Sequence, residues 1–480
     1  MKIESVPKFN KFVMAAIFVD SLNRLKDVIG DSLITREIDK IPFKKDASFF
    51  HGDVPLAVAV PKNTSELQEI MKICYEERLP VVGRGGGTAL TGSSVPSSES
   101  IVISLSRMNK IIEINKEDRY IIAEAGVRLD DLNQKLSYLN FIYPPDPGSS
   151  IAATVGGSIA TNAGGLRAAM YGATKEWVLG LEVVLPDGTI IQTGGKVLKR
   201  SIGYDLTALF IGSEGTLGLI TKAILKIAPK PEKVGRIIAY YESIDKASSA
   251  IGLLKANGIT PLIAEFMDKI AMDSLTNTKD IKFPAGAKFL LMVDISSTTE
   301  SIERHMAEAL EIIKKSGASE VTYTTDSGEM AKMYTLRKGL YAAELGERTS
   351  SDEYIIIGDI VVPPSRLPSA LSRIEEESRR GNIKASLFGH IGDGNIHANV
   401  FYNSNEENSL KGAQDFLMTI GKIAIENGGS VSAEHGIGLE KKELLLEEMR
   451  YKNSLKNIDL MKDIKKAFDP KNIMNRGKIF

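Results

Sequence analysis

Apolar positions in the first half of the chain recur with two periods. Val54-Pro55-Leu56-Ala57-Val58-Ala59-Val60 is almost continuously apolar and predicts a buried strand. Asn63-Thr64-Ser65-Glu66 then supplies capping residues before Leu67, Ile70, Met71 and Cys74, which fall on one helical face. Leu79-Pro80-Val81-Val82 predicts a short buried strand that runs straight into glycines. Further strands are expected at Ile101–Leu105 and Tyr120–Glu124, and a helix at Leu129–Leu139. Leu181–Leu185, Pro186-Asp187-Gly188 and Thr189–Gln192 read as strand, turn and strand. Near the start, Phe12–Val19 follows two lysines as a secretion signal would. It ends in Asp20 without a small-x-small cleavage site, so a helix running on through Leu22, Leu25, Val28 and Ile29 is expected instead.

Ala228-Pro229-Lys230-Pro231-Glu232 breaks this pattern. Beyond it, Val234–Tyr240 predicts a strand, a helix follows from about Ser243, Lys288–Val293 predicts a strand, and a charged helix covers 298–316. That alternation suggests an α+β domain with an antiparallel sheet. From Glu434 the chain reads as helical and charged, ending at Phe468-Asp469-Pro470. The expected divisions are 1–228, 229–433 and 434–480. There are no repeats and no low-complexity segment.

Composition narrows the class. The chain has 480 residues, 43% hydrophobic and 25% charged, enough for two to four domains. Its 60 basic and 61 acidic residues leave no surplus to point to nucleic acid. The single cysteine, Cys74, excludes an internal disulfide and a four-cysteine iron–sulfur or zinc site. It sits in an amphipathic helix pattern and reads as core. A reducing cytosol is the expected compartment, with peripheral contact at the inner face of the membrane left open. No apolar run reaches the roughly 18 residues of a membrane span.

Three glycine-rich stretches carry the first chemical signal. Gly83-Arg84-Gly85-Gly86-Gly87-Thr88 follows a strand directly, and Gly92-Ser93-Ser94 extends it. Backbone that approaches a phosphate needs free N–H groups and no Cβ. The run is not G-x-G-x-x-G, because Thr88 holds the last glycine position, and no acidic residue follows where a Rossmann site needs one. The P-loop pattern is absent too. A second stretch runs from Thr154 to Gly165 and a third from Gly212 to Gly218. Tight turns account for one such loop; three in one region argue for a large ligand laid against backbone.

The second signal is histidine. Of five, His390, His397 and His435 cluster, whereas His51 and His305 read as surface or loop residues. Asp393-Gly394 between two β-prone runs favours a two-residue hairpin turn, which would set His390 directly opposite His397. Their Cβ atoms would then lie about 4.5–5.5 Å apart, close enough to share a metal ion. Glu434 offers a third ligand. Zinc, manganese and iron(II) all suit two histidines and a carboxylate. His435 follows Glu434 in a glycine-flanked loop and can face the same site.

Taken together, Arg84–Thr88, Pro145-Asp146-Pro147, Thr154–Gly157, Thr161–Gly165, Gly212–Gly218, Gly389–His397, Ala433–Gly438 and Asn475-x-Gly477-Lys478 resemble the vanillyl-alcohol-oxidase / p-cresol-methylhydroxylase flavoprotein superfamily. Within it, the chain is similar to the branch of D-lactate dehydrogenases, glycolate oxidase flavin subunits and D-2-hydroxyglutarate dehydrogenases. The resemblance covers roughly residues 45–480. It implies an α+β fold: a two-subdomain FAD-binding domain of the p-cresol-methylhydroxylase type, an α+β cap with an antiparallel sheet, and a C-terminal helical segment returning to the flavin. Arg476 departs from the usual Asn-Pro-Gly-Lys ending and is expected to alter the loop at Asn475.

Site roles follow from the same resemblance. FAD contacts are expected from Arg84, Gly85, Gly86, Gly87, Thr88, Gly92, Ser93, Asp146, Thr154, Gly157, Asn162, Gly164, Glu214, Ile220 and Asn475. Gly87 stands where covalent members often carry histidine, so the FAD is expected to be non-covalent. A divalent metal, with zinc the expected ion, is assigned to His390, His397 and Glu434, and the catalytic base to His435. Arg337 matches the position that binds the substrate carboxylate, and Asn395 either bonds substrate or orients a ligand. The implied reaction oxidises a D-2-hydroxy acid. The metal acidifies the hydroxyl, His435 takes its proton, and hydride passes to flavin N5. The electron acceptor would be a quinone, a cytochrome, an electron-transfer flavoprotein or an iron–sulfur subunit; the sequence does not fix the oligomeric state, and a homodimer is one assembly left open. Two competing readings are a flavin subunit of a multi-protein electron-transfer complex and an FAD-dependent transferase of the alkylglycerone-phosphate synthase type. The transferase needs a basic phosphate cluster that the cap sequence does not show.

Overall fold

The computed structural model describes residues 11–279 and 282–480. Lys8, one of the lysines before the N-terminal apolar run, lies outside them. The run itself enters the helix Lys11–Ile29, which continues through Leu22, Leu25 and Val28.

The first half holds two sheets. One has four strands in the order Leu33–Ile34, Ala57–Ala59, Ile101–Ser104, Val81–Arg84, the last three parallel. Its helix Thr64–Glu76 begins where the capping signal puts it: the Asn63 side chain accepts from the Glu66 N–H. That helix buries Leu67, Ile70, Met71 and Cys74, so the cysteine is core, and burial pushes its thiol up to about 12. The second sheet is antiparallel, in the order Ile111–Asn115, Tyr120–Glu124, Leu219–Lys226, Val178–Val184, Ile190–Gly194. One continuous apolar core joins the two sheets, and Ile473 and Met474 from the far end of the chain complete it.

The cap is a seven-stranded antiparallel sheet. Its order is Glu320–Thr324, Lys233–Tyr241, Phe289–Ser297, Ile263–Asp268, Ala385–Gly389, Asn395–Asn403, Glu353–Val361. Alternate residues take opposite faces. Ile237, Ala239, Phe266, Leu291 and Val293 pack on one face under four helices, including Ile244–Ala256 and Ile302–Lys315. Ile238, Met267, Leu290, Met292 and Phe388 pack on the other face, where Leu166 of the first half joins them. That second face looks at the glycine loops and carries the chemistry.

The two-residue hairpin is overturned. His397 stands opposite Phe388, not His390, and the connection is the five-residue loop 390–394. The His390 carbonyl accepts from the N–H groups of Asp393, Gly394 and Asn395. Contacts outside the hairpin favour the longer loop: Val362 N–H donates to the Gly394 carbonyl at 3.0 Å and Lys255 Nζ to the Gly392 carbonyl at 2.5 Å. The slip spans two residues, so every side chain keeps its face.

After Glu434 the chain runs through a loop before the helices Lys442–Tyr451 and Lys456–Phe468. It then returns to the first sheet, where Val81 bridges Met474 in parallel. Asn475 lies in the left-handed region at φ 43° and its Nδ2 donates to the carbonyls of Ser93 and Glu214. Arg476, in the place of the usual proline, donates from Nη2 to the Arg78 carbonyl.

Candidate active site

The glycine stretches converge on one cavity of about 470 Å³, within the usual range of about 300–1,000 Å³ for small-molecule sites. Gly83 through Leu90, Thr154, Gly157 and Ser213 to Gly215 line one side. Arg337, Lys338, Tyr341, Ile357, Phe388, His390 and His397 face them from the cap, and Glu434 and His435 close one end.

The first loop has no room for side chains. A Cβ on Gly86 would lie 2.0 Å from the Ala152 carbonyl oxygen. Gly87 has φ 68°, and a Cβ there would lie 2.3 Å from the Arg84 guanidinium. The second loop starts the helix Val155–Thr161, capped by Thr154, whose Oγ1 accepts from the Gly157 N–H at 3.3 Å. Glu214 locks the third loop to the C-terminal segment. Its carboxylate accepts from Ser93 Oγ at 2.5 Å and from the N–H groups of Ile437 and Gly438 at 2.7 and 2.9 Å.

On the cap side, two imidazoles meet one carboxylate. His390 Nε2 lies 3.4 Å and His397 Nε2 3.2 Å from Glu434 Oε1. The two rings are perpendicular, with centroids 5.3 Å apart. Ligand atoms each about 2.0–2.1 Å from a tetrahedral ion stand at about this mutual spacing. Asp359, His397, Glu434 and His435 also place donor atoms within 4.8 Å of one another, an overlapping cluster able to hold a metal ion. Asp359 is otherwise engaged, however. Its Oδ2 accepts from Ser432 Oγ and the N–H groups of Ala433, Glu434 and His435, and its Oδ1 from Asn395 Nδ2. It supports the loop that carries Glu434, and the donors not engaged in this way are His390, His397, Glu434 and His435.

Electrostatics fit a cation there. Burial opposes protonation of His390, but Glu265 and Glu434 outweigh it and hold its pKa well above the ordinary imidazole value. Burial likewise opposes ionisation of Glu434, and the two histidines hold it well below the carboxylate range. The cluster thus stabilises positive charge beside Glu434. Burial pushes His435 down to about 4 against the pull of Asp359, leaving it neutral at neutral pH. Its ring stacks on His397 at 5.2 Å. Three buried nitrogens at the cavity, Arg337 Nε, His397 Nδ1 and His435 Nδ1, have no hydrogen-bond partner within the protein.

Sequence comparison agrees with this architecture. Residues 230–479 match the family described as FAD linked oxidases, C-terminal domain, and residues 55–194 match an FAD binding domain. The chain belongs to the FAD linked oxidases. It is 38% identical over 442 residues to the glycolate oxidase subunit GlcD of Bacillus subtilis, covering 92% of each chain. It is 32% identical to a D-lactate dehydrogenase of Anaerostipes hadrus, covering 96% of this chain and 97% of that one. A D-lactate dehydrogenase of Archaeoglobus fulgidus is 36% identical, over 88% and 90%. Among solved structures, 4-ethylphenol oxidase from Gulosibacter chungangensis superposes with a TM-score of 0.78 at 18% identity, covering 97% of each chain. p-Cresol methylhydroxylase does so with the same score at 16% identity and the same coverage.

In this FAD linked oxidase, the structure brings most of the anticipated site residues to the cavity. Arg84, Gly85, Gly86, Gly87, Thr88, Ser93, Thr154, Gly157, Glu214 and Ile220 line it, with Arg337, His390, His397, Glu434 and His435 opposite. Six do not line it. Gly92 packs against Phe50 and Leu439, and Gly164 against the Glu434 side chain. Asn162 ends a helix in the left-handed conformation and accepts from the Lys175 N–H. Asn395 donates to Asp359 and the Ile360 carbonyl, so it orients rather than contacts. Asn475 ties loops together. Asp146 is turned to the domain interface, paired with Lys338 at 3.0 Å and Arg167 at 3.6 Å and bonded to Tyr334.

Two residues escaped sequence reasoning, Glu265 and Asp359. Each is an acid in the interior of a largely apolar strand, Ile263–Asp268 and Glu353–Val361, and is almost wholly buried. That mismatch was the available signal, because a buried carboxylate needs partners.

Proposed function

We propose that this FAD linked oxidase oxidises the α-carbon of a small D-2-hydroxy acid, such as D-lactate, glycolate or D-2-hydroxyglutarate, to the 2-oxo acid. The observation that carries the reading is the meeting of His390, His397 and Glu434 in the same cavity as Arg337, opposite the glycine loops. The names of the relatives, glycolate oxidase subunit and D-lactate dehydrogenase, point the same way. FAD, when bound, supplies the hydride acceptor, and a divalent cation the Lewis acid.

The chain's own residues do the rest. The glycine loops suit FAD because main-chain N–H groups come close where side chains cannot fit. No side chain at Gly87 offers a covalent link. His390, His397 and Glu434 would hold the cation, with zinc the expected ion and manganese or iron(II) suited to the same donors. Arg337 binds the substrate carboxylate, its Nε still lacking a protein partner. Neutral His435 takes the hydroxyl proton. Phe388 and Ile357 add apolar lining to the cavity.

The only cysteine, Cys74, is buried in the first core, so electrons leaving the flavin cannot pass to a cysteine-bound cluster of this chain. A quinone, a cytochrome, an electron-transfer flavoprotein or an iron–sulfur subunit would receive them, and the subunit naming of one relative favours a multi-protein complex. Among the described residues no helix is long and apolar enough to cross a membrane.

The test is anaerobic mixing of the FAD-loaded protein with D-lactate, glycolate and D-2-hydroxyglutarate. Bleaching of the flavin by at least one supports the reading, and a flavin left oxidised by all three rejects it.

A further inference from the structure

We propose that Glu265 is a shared positioning residue, one buried carboxylate that holds both Arg337 and His390 in place. This rests on the roles given to those two residues above. Glu265 Oε2 lies 2.6 Å from Arg337 Nη2, and Oε1 bonds His390 Nδ1. The Glu265 side chain is 1% exposed, and those of Arg337 and His390 are 8% and 6% exposed.

The sheet explains how one residue reaches both. The strands Ile263–Asp268 and Ala385–Gly389 pair Met267 with Phe388 and Phe266 with Gly389. Continuing that register by one residue sets Glu265 opposite His390, just beyond the last paired position. Glu265 shares its face with Met267, and Met267 shares it with Phe388. The Arg337 guanidinium lies over the Phe388 ring, 4.7 Å from its centroid. Arg337 is therefore fixed on two sides, by Phe388 beneath and Glu265 beside it.

A buried carboxylate costs stability unless it is well paired. Here both partners belong to the cavity, not to the cap core, so the arrangement serves the site. Bonding at Nδ1 turns the other ring nitrogen of His390 toward Glu434, which orients a metal-ligating imidazole. The ion pair at Nη2 leaves Arg337 Nε without a protein partner, and so available to an incoming carboxylate. One side chain thereby sets the distance between the carboxylate anchor and the cation.

The experiment uses the full chain loaded with FAD and compares the parent with Glu265→Gln and Glu265→Ala. Metal content is followed during dialysis against a chelator. Oxalate, a small dicarboxylate probe, is titrated while the flavin spectrum is read, and KM and kcat are measured for whichever hydroxy acid bleaches the parent. The Gln amide oxygen still accepts from His390 but no longer faces Arg337 with a charge. Glu265→Gln should keep the metal nearly as long as the parent, while oxalate affinity falls at least tenfold and KM rises more than kcat falls. Glu265→Ala should lose metal about 10–100-fold faster and bind oxalate equally poorly. Unchanged oxalate affinity in Glu265→Gln overturns the proposal, as does metal loss in Glu265→Gln as fast as in Glu265→Ala. If Glu265→Ala does not fold, the isosteric Gln variant still decides the Arg337 arm. If no hydroxy acid bleaches the parent, the functional reading fails while the metal and oxalate measurements still judge Glu265.

Discussion

Asp359 and His435 are joined through the main chain: the His435 N–H donates to Asp359 Oδ2 at 3.0 Å. The same oxygen takes the N–H groups of Ala433 and Glu434 at 2.9 and 3.1 Å. Asp359 also stands directly across the sheet from His397. One strand residue therefore aims a loop bearing two site residues at a histidine on its neighbour strand. Asp359→Ala should weaken metal retention about 10–100-fold while FAD stays bound, because the glycine loops are untouched. Metal content measured against flavin absorbance checks this; a metal-to-flavin ratio equal to the parent's would mean that another contact holds the loop.

In the proposed mechanism His435 takes the substrate proton and stands outside the proposed ligand set of His390, His397 and Glu434. His435→Ala should slow anaerobic flavin reduction about 10²–10⁴-fold, the usual contribution of a general base. Metal and FAD content should match the parent. Reduction at the parental rate would take the proton-accepting role away from this residue.

The first glycine loop predicts a separate defect. Gly86→Ala places a methyl group 2.0 Å from the Ala152 carbonyl oxygen, so loop or neighbour must move. Overpacking of this kind costs about 1–3 kcal/mol, and here it distorts the FAD cradle directly. The purified variant should carry less FAD per protein than the parent, with the cap and its metal content intact. Full flavin occupancy would show that the loop yields without consequence.

A pH effect is expected from the cap interior. Burial raises Glu344 to about 7, partly offset by hydrogen bonds from Ser386 and Asn399. Its folded pKa exceeds its unfolded value of about 4.3, so the fold binds the proton more tightly. The stability this contributes is complete below about pH 4.3 and is lost as pH rises through 7. Glu344→Gln removes that loss. Relative to the parent, its unfolding midpoint should rise between pH 5 and pH 8, on the order of 1.4 kcal/mol per pKa unit at most. A difference between the two proteins that does not vary with pH would contradict the assignment.

Much of this was legible in the sequence because it depends on short-range pattern. The Asn63 cap, the strand at Tyr120–Glu124 and the glycine loops are written in neighbouring residues. The His390 and His397 pairing was anticipated from a turn that does not form. The sites still coincide because a two-residue slip keeps each side chain on its face. Glu265 could not be foreseen in the same way. It lies 125 positions from His390, and only the order of strands in the cap sheet brings the two together. Asp146, Asn395 and Asn475 belong to the motifs, yet they hold domains and loops together instead of facing the cavity.

The return of the tail to Val81 bears on how the protein is made. Val81 N–H donates to the Ile473 carbonyl, and the Asn475 N–H donates back to the Val81 carbonyl. The strand that leads into the first glycine loop thus gains its outer neighbour only after the whole cap has been translated. On the ribosome, the FAD cradle stays incomplete until Asn475 has left the exit tunnel. A chain cut short before Ile473 would be synthesised without the neighbour that flanks Val81 at the entry to the first glycine loop.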